Sequence, residues 1–165
     1  MAIADQIGVE EVFHFLEEVL DPEVPVLNIV DLGIVRDVNL ANNQVEIIIT
    51  PTYTGCPAMR VIEENILEKL KEHGLMDIKI TTVLSPAWTT DWLSAEAKKK
   101  LKSYGIAPPE GTADKSFLFA APKVIACPQC GSLNTVMKSQ FGSTACKALY
   151  ICQDCKEPFD YFKCI

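Results

Sequence analysis

The chain has 165 residues, enough for one ordinary domain and a small second one. Its formal net charge of -7 argues against nucleic acid as a partner, because phosphate binding depends on clustered Lys and Arg. No apolar run approaches the roughly 18 residues of a membrane span, and no secretory signal opens the chain. Seven cysteines without such a signal predict a cytoplasmic protein, whose paired cysteines bind metal or do redox work rather than form disulfides.

An amphipathic helix is predicted over residues 9–20. Its apolar residues recur at helical spacing on one face, and glutamates occupy the opposite face. The helix is expected to stop at Asp21-Pro22, because the residue before a proline avoids the helical region. Residues 23–33 are interrupted by proline and are expected to form an ordered loop.

Two strands and a second helix are predicted next. The strands cover residues 34–39 and 44–50, and residues 41–43 form the turn between them because their two asparagines tolerate positive φ. The loop at residues 50–57 then opens a helix with an apolar stripe. Gly74 ends this helix, because glycine readily adopts the conformation that follows a helix C-terminus.

A third strand and a third helix complete the first part of the chain. The strand is predicted at residues 78–84, and the helix is capped by Thr90 and runs to about Tyr104. Trp88 and Trp92 lie near the exit of the strand and are expected in the core or in an interface.

The predicted order of helix, strand, strand, helix, strand, helix indicates an α+β fold class. Residues 1–105 are expected to form a small α/β domain with a mixed sheet. Residues 106–123 contain a Pro-Pro-Glu-Gly stretch and are expected to be a linker. Residues 124–165 are expected to form a separate small domain.

Four cysteines form the most specific motif of that small domain. Cys127 and Cys130 are separated by two residues, as are Cys152 and Cys155, and Gly131 eases the first turn. Two such turns supply the four thiolates that tetrahedral zinc prefers. A segment of about forty residues has too small a core to fold unaided, so the metal would stabilise it. The spacing predicts a zinc ribbon with one structural Zn²⁺ per chain; an iron–sulfur cluster and redox-active cysteine pairs are the alternatives.

The remaining residues of the ribbon favour protein docking. Its strands are predicted at residues 133–140, 148–151 and 157–163. Cys146 and Cys164 are expected to be small buried hydrophobic residues rather than ligands. From Lys123 onward five lysines face three acidic residues, and zinc with four thiolates adds about -2, so the segment is nearly neutral. A nearly neutral ribbon is not a phosphate-binding surface.

A fifth cysteine, Cys56, precedes Pro57 at the start of the second predicted helix. Proline favours the first helical position, so Cys56 is expected to be the N-cap residue. The helix dipole and unpaired N–H groups there favour a negative group, which predicts a thiol that ionises easily and is reachable. Packing beneath the helix is the alternative. Asp21 and Glu23 are expected at the same end of the sheet, with a solvated position as their alternative.

Three segments of the first domain resemble the metal-sulfur cluster assembly domain family, whose members act in cytosolic iron–sulfur protein maturation. The segments are Asp-Pro-Glu-Val-Pro at residues 21–25, Ile-Val-Asp-Leu-Gly-Ile-Val at 29–35, and the Cys56 loop at 50–57. The resemblance implies that Cys56 is the functional thiol, which binds or transfers iron or an iron–sulfur unit. It also implies supporting roles for Asp21, Glu23 and Thr54.

Residues 85–92 and 141–148 extend the resemblance over essentially the whole chain. Together with the ribbon they are similar to the PaaD family of the bacterial phenylacetyl-CoA epoxidase system. The resemblance implies an accessory component of this ring-epoxidising monooxygenase in aerobic phenylacetate degradation. It implies partnership with the other epoxidase subunits, first the iron–sulfur flavin reductase, and no catalysis by this chain alone. The sequence agrees, because it lacks the paired Glu-x-x-His helices of a di-iron site.

Two functions stay open at this stage. A maturation factor would hold iron or a transient iron–sulfur cluster on Cys56, and since one thiolate cannot fill a cluster's coordination, a client or a homodimer must supply the rest. A structural subunit of the epoxidase complex would carry no cluster chemistry. A redox enzyme using its cysteine pairs and a nucleic-acid-binding ribbon rank below both.

Overall fold

The structure, a computed structural model, describes residues 7–111 and 121–163. The chain forms two compact units, Met1–Trp88 and Thr89–Ile165. In the part of the chain that the structure describes, no helix combines the length and the hydropathy needed to cross a bilayer.

The first unit contains two helices and a mixed three-stranded sheet. The elements are α1 Val9–Leu16, β1 Val35–Ala41, β2 Gln44–Ile49, α2 Ala58–Glu72 and β3 Ile78–Thr82. Strand β2 is central, antiparallel to β1 and parallel to β3. The β1–β2 turn uses Asn42 and Asn43 at positive φ (51° and 64°), as the sequence predicted. The mixed α+β fold is confirmed.

The core of this unit is formed by apolar residues of α1, α2 and β2. Alternate residues of β2 are buried, as expected for a strand with one face on a core. The side chains with no exposed surface include Val12, Leu16, Ile47, Ile49, Ile62, Ile66 and Leu70. Helix α2 is therefore held firmly against the sheet, and this fixes the position of the loop that leads into it.

Helix α1 is shorter than predicted. It ends at Leu16 instead of continuing to residue 20. The N–H of Ile29 donates to Val19 O at 3.0 Å and the N–H of Asp21 donates to Leu27 O at 2.9 Å, with a β-bridge between Leu20 and Asn28. These pairings give the backbone after α1 non-helical partners, so the expected helix end at Asp21-Pro22 was wrong.

The second unit contains a third helix and a four-stranded sheet. Its elements are α3 Ala95–Tyr104, β4 Ile106–Ala107, β5 Thr135–Ser139, β6 Lys147–Cys152 and β7 Pro158–Phe162. The strand order is β4-β7-β6-β5, in which β4 and β7 are parallel and the other pairs are antiparallel. The three strands predicted for the ribbon correspond to β5, β6 and β7.

Helix α3 begins later than predicted. Ser94 is its N-cap, accepting the N–H of Ala97 at 2.9 Å, while Thr90 belongs to a separate 3-10 turn, Thr90–Trp92. Trp88 is buried as expected and donates its indole N–H to Leu32 O at 2.9 Å. The prediction missed the 3-10 turn because Thr90 and Ser94 are both acceptable caps in a sequence.

The segment predicted as a linker contains a short strand. Residues Ile106–Ala107 pair with β7, and both side chains are buried. Residues 112–120 of that segment lie outside the described residues. The domain boundaries at residues 105 and 123 stay a prediction.

Candidate functional site

The loop that carries Cys56 is a tight turn before helix α2. The N–H of Cys56 donates to Tyr53 O at 3.2 Å, and Gly55 has φ of 81°. This matches a type II turn, in which the third residue needs positive φ and is usually glycine. Pro57 occupies the cap position of the helix, one residue later than predicted for Cys56, and already has helical angles (φ -68°, ψ -21°). The turn places the thiol next to the first amides of α2.

Polar groups surround the sulfur of Cys56. The N–H of Ala58 donates to the sulfur, the side chains of Thr52 and Tyr53 hydrogen-bond to it, and the Glu23 carboxylate interacts with it electrostatically. Cys56 is 9% exposed. The thiol is therefore shielded from water, yet its recorded contacts are with hydrogen-bonding and charged groups.

The thiol of Cys56 does not ionise easily, contrary to the prediction. Burial raises its pKa above the ordinary thiol value, and the negative charge of Glu23 raises it further. The hydrogen bonds from Ala58, Thr52 and Tyr53 act in the opposite direction but do not outweigh burial. Sequence position showed the helix start but could not show how much water the folded loop excludes.

Asp21 and Glu23, two of the predicted supporting residues, belong to one turn. Asp21 is 5% exposed, and its Oδ1 accepts the N–H of Glu23 at 2.8 Å and of Val24 at 2.7 Å. A carboxylate that accepts neighbouring amides stabilises a turn of this kind. Asp21 thus shapes the turn, and Glu23 is the carboxylate that acts on Cys56.

Thr52 and Tyr53 were missed as neighbours of the thiol. Thr54, the predicted supporting residue of the loop, is exposed at the corner of the turn, whereas Thr52 is 8% exposed and bonded to the sulfur. The signal in the sequence was the four-residue spacing from Tyr53 to Cys56 with glycine third. Such a turn directs the two flanking residues differently from Thr54.

The four ribbon cysteines come together as predicted. The sulfur atoms of Cys127, Cys130, Cys152 and Cys155 all lie within 4.8 Å of one another. The Cys127–Cys155 and Cys130–Cys152 sulfur pairs are 3.7 Å and 3.6 Å apart. A tetrahedron with Zn–S distances of about 2.3 Å has edges of roughly 3.8 Å. The group fits one tetrahedral ion, and a structural zinc is the ion that this donor set prefers.

The same distances argue against a multi-iron cluster on these residues. In such a cluster different cysteines bind different irons, so their sulfurs stand around a group of metals rather than one ion. A closed set of four thiolates also leaves no coordination position for a substrate. The site is therefore a structural one.

Backbone amides support the metal ligands in both knuckles. The N–H groups of Cys155 and Asp154 donate to the Cys152 sulfur and lower its pKa to about 7. Gly131 has φ of 75° in the first knuckle, and Lys156 has φ of 65° at the equivalent position of the second. The turn that glycine was predicted to ease is therefore present twice, once with a residue ill suited to it.

Asp154 connects the two knuckles. Its carboxylate accepts hydrogen bonds from the Ser132 hydroxyl and, at 2.8 Å, from the Asn134 amide. The N–H of Gln153 donates to Asn134 O at 2.8 Å. Such contacts outside the ligands hold a metal site in shape. The hydrogen bonds from Ser132 and Asn134 also lower the pKa of Asp154.

The cysteines outside the zinc group were expected to be buried. Cys146 is 4% exposed, with its sulfur 3.1 Å from the Thr144 hydroxyl, and it is not part of the four-cysteine group. Cys164 lies outside the described residues.

Comparison with known proteins identifies the family. The chain is 46% identical over 157 residues to an Escherichia coli (strain K12) protein named "Putative 1,2-phenylacetyl-CoA epoxidase" and designated its D-type component. The match covers 95% of this chain and 93% of that protein. The chain belongs to the PaaD family of phenylacetyl-CoA epoxidase components. Within this family member, the model described as "PaaD zinc beta ribbon domain" matches residues 111–163, which contain all four zinc-group cysteines.

The unit that carries Cys56 has relatives outside the PaaD family. The model described as "Iron-sulfur cluster assembly protein" matches residues 9–84. A Porphyromonas gingivalis protein named "Fe-S protein maturation auxiliary factor" is 35% identical over 94 residues, covering 56% of this chain and 89% of that protein. A solved domain of unknown function, DUF59, from Bacillus anthracis has a TM-score of 0.54 and 32% identity, covering 56% of this chain and 90% of that chain.

Proposed function

We propose that the protein is an accessory maturation factor of the phenylacetyl-CoA epoxidase system. In this proposal Cys56 binds iron or an iron–sulfur unit in the cytoplasm and passes it to a client, and the client is the iron–sulfur reductase subunit. The chain performs no catalysis alone. The observation that carries the proposal is the polar enclosure of Cys56 in the unit that matches the iron–sulfur assembly model.

The enclosure suits a metal cargo better than a free nucleophile. A thiolate is a soft ligand that favours iron–sulfur chemistry. The raised pKa keeps the Cys56 thiol protonated until a metal displaces the proton, and metal binding to thiols releases protons in this way. Glu23 supplies a second donor group beside the sulfur. A sulfur and a carboxylate leave coordination positions that the client or a second copy would fill.

The ribbon has a different task in this proposal. Its four thiolates are occupied by one structural zinc, so the ribbon has no open metal position. The iron–sulfur assembly match ends at residue 84, and the ribbon match begins at residue 111. A zinc-stabilised module joined to an assembly domain would serve to select the client.

Iron loading of the reductase tests the role of Cys56. The reductase subunit is produced together with wild type, Cys56→Ala, or the control Cys146→Ala, which removes a buried thiol from the other unit. Iron and acid-labile sulfide are measured per purified reductase. We expect a loss of most of the iron with Cys56→Ala only, while zinc content and circular dichroism of that variant match wild type. A fully loaded reductase beside Cys56→Ala would refute the proposal.

A structural subunit is the second candidate. The low exposure and raised pKa of the Cys56 thiol favour it, because a thiol that only packs has these properties. This candidate predicts stable co-purification with the oxygenase subunits and normal reductase loading with Cys56→Ala. The co-production experiment therefore separates the two candidates.

A further inference from the structure

Helix α3 carries the densest basic patch of the chain. Four of its ten residues are lysines, and they fall within residues 98–102. Within the helix only Glu96 is acidic, and its carboxylate lies 3.8 Å from Lys99 Nζ. The four lysines Lys98, Lys99, Lys100 and Lys102 are called the lysine face below.

Burial of the opposite side determines which lysines point outward. Ala97 and Leu101 have no exposed surface and fix the inner side of α3. Lys99 and Lys102 are exposed and one turn apart, and Tyr104, at the end of the helix, is 57% exposed. Neighbours three residues apart on a helix present their charges together. An exposed tyrosine beside two lysines is a composition that interfaces favour.

The zinc ribbon supports this helix. Gly105 caps the C-terminus of α3 with φ of 90°, and a Cβ there would lie 3.1 Å from the amide nitrogen of Gln129. Gln129 is in the first zinc knuckle, and β4 directly after the cap pairs with β7 of the ribbon. The helix end is therefore seated on the metal site, which gives the zinc a role in positioning the lysine face.

Charge is divided unevenly along the chain. Residues 1–88 contain 15 acidic and 5 basic residues, a net charge of -10, and residues 89–165 contain 7 acidic and 10 basic residues, a net charge of +3. Screening limits electrostatic interactions to about 8 Å at physiological ionic strength, so a partner that contacts α3 meets a local positive charge.

We propose that the lysine face docks an acidic surface of the client protein, a step that deepens the proposed function by locating client recognition on α3. Complementary charge raises association rates and selects partners. A protein fits better than nucleic acid, because an extended polyanion would also meet the acidic residues of the chain. The second unit also contains no arginine, the residue that grips phosphate in two places at once.

Binding to the purified reductase subunit tests this directly. Biolayer interferometry with the full zinc-loaded chain compares wild type, Lys99→Glu/Lys102→Glu, Cys56→Ala and the control Lys71→Glu/Lys79→Glu. The control makes the same change in net charge at exposed lysines of the first unit. We expect the α3 variant to raise the dissociation constant by about ten-fold in low salt and to weaken its salt dependence. The control and Cys56→Ala should bind like wild type.

Each other outcome overturns the docking proposal. Equal weakening by the control would show a general charge effect, and unchanged binding of the α3 variant would remove the lysine face from the interface. Salt-dependent binding of the wild type to double-stranded DNA, lost in the α3 variant, would make the face a nucleic-acid site. Lack of wild-type binding to the reductase would also refute it. Because Cys56→Ala is expected to dock normally, failure of docking and failure of iron delivery are distinguishable.

Discussion

The two zinc knuckles differ at one equivalent position, and this difference predicts opposite effects of two substitutions. Gly131 and Lys156 each follow the second cysteine of a knuckle, with φ of 75° and 65°. A Cβ on Gly131 would meet no atom within 4 Å, so Gly131→Ala changes the backbone energy without a steric clash. Lys156→Gly makes the reverse change in the other knuckle.

The size of each effect follows from the left-handed conformation. A non-glycine residue there costs about 1–2 kcal/mol, and alanine recovers about 0.4–1 kcal/mol by restricting the unfolded chain. Gly131→Ala should therefore destabilise the zinc-bound ribbon by about 1 kcal/mol, a roughly five-fold loss of zinc affinity. Lys156→Gly relieves the same cost, less about 0.5–1 kcal/mol of glycine entropy and the Lys156–Gln153 hydrogen bond. It should tighten binding by about two-fold.

Chelator competition at fixed pH measures these affinities. Wild type and both variants are titrated with a chelator of known zinc affinity, and the zinc retained by the protein is counted. The two variants should lie on opposite sides of wild type, separated by about ten-fold. A shift of both in the same direction, or wild-type affinity for Gly131→Ala, would show that the backbone angles do not control the site.

Two further predictions concern the first unit. Glu23→Gln removes the negative charge that raises the pKa of Cys56, so the pKa should fall and alkylation by iodoacetamide near pH 8 should accelerate, as measured by peptide mass spectrometry with the ribbon cysteines held by zinc; a rate at or below wild type would contradict this. Ile66→Ala should lower the free energy of unfolding by about 2–5 kcal/mol in urea titrations, because Ile66 has no exposed surface. The control Val61→Ala, at a residue 41% exposed, should cost under about 0.5 kcal/mol, and equal losses would argue against the assigned core.

The sequence predicted the parts of the fold that depend on local pattern. The two asparagines between β1 and β2, the helical stripe of α2 and the paired cysteines all act over short spans, and each is present in the structure. The end of α1 was wrong because the apolar spacing continues through Val19 and Leu20, while the backbone there pairs with residues 27–29. Such pairing is set by tertiary packing, which overrides helical propensity.

The chemistry of Cys56 illustrates a second limit. Its place at a helix start was predictable from Pro57, and the N–H of Ala58 does donate to the sulfur. The direction of its pKa was not predictable, because burial depends on how the loop folds over the thiol. Thr52 and Glu23 come from different loops, and only the fold shows that both act on the sulfur.

A protected thiol and a delivery role are compatible, since the raised pKa and the metal act in opposite directions on the same proton. The neutral thiol of Cys56 favours the folded state fully below the ordinary thiol pKa, and this contribution is lost as pH rises through the raised value. Near neutral pH the thiol therefore stays protonated and resists oxidation, which proceeds through the thiolate. A soft metal ion displaces the proton, and the Ala58 amide and the Thr52 hydroxyl then stabilise the metal-bound sulfur. Release to a client would return the proton and restore the protected state, so the environment that lowers spontaneous reactivity also makes cargo binding reversible.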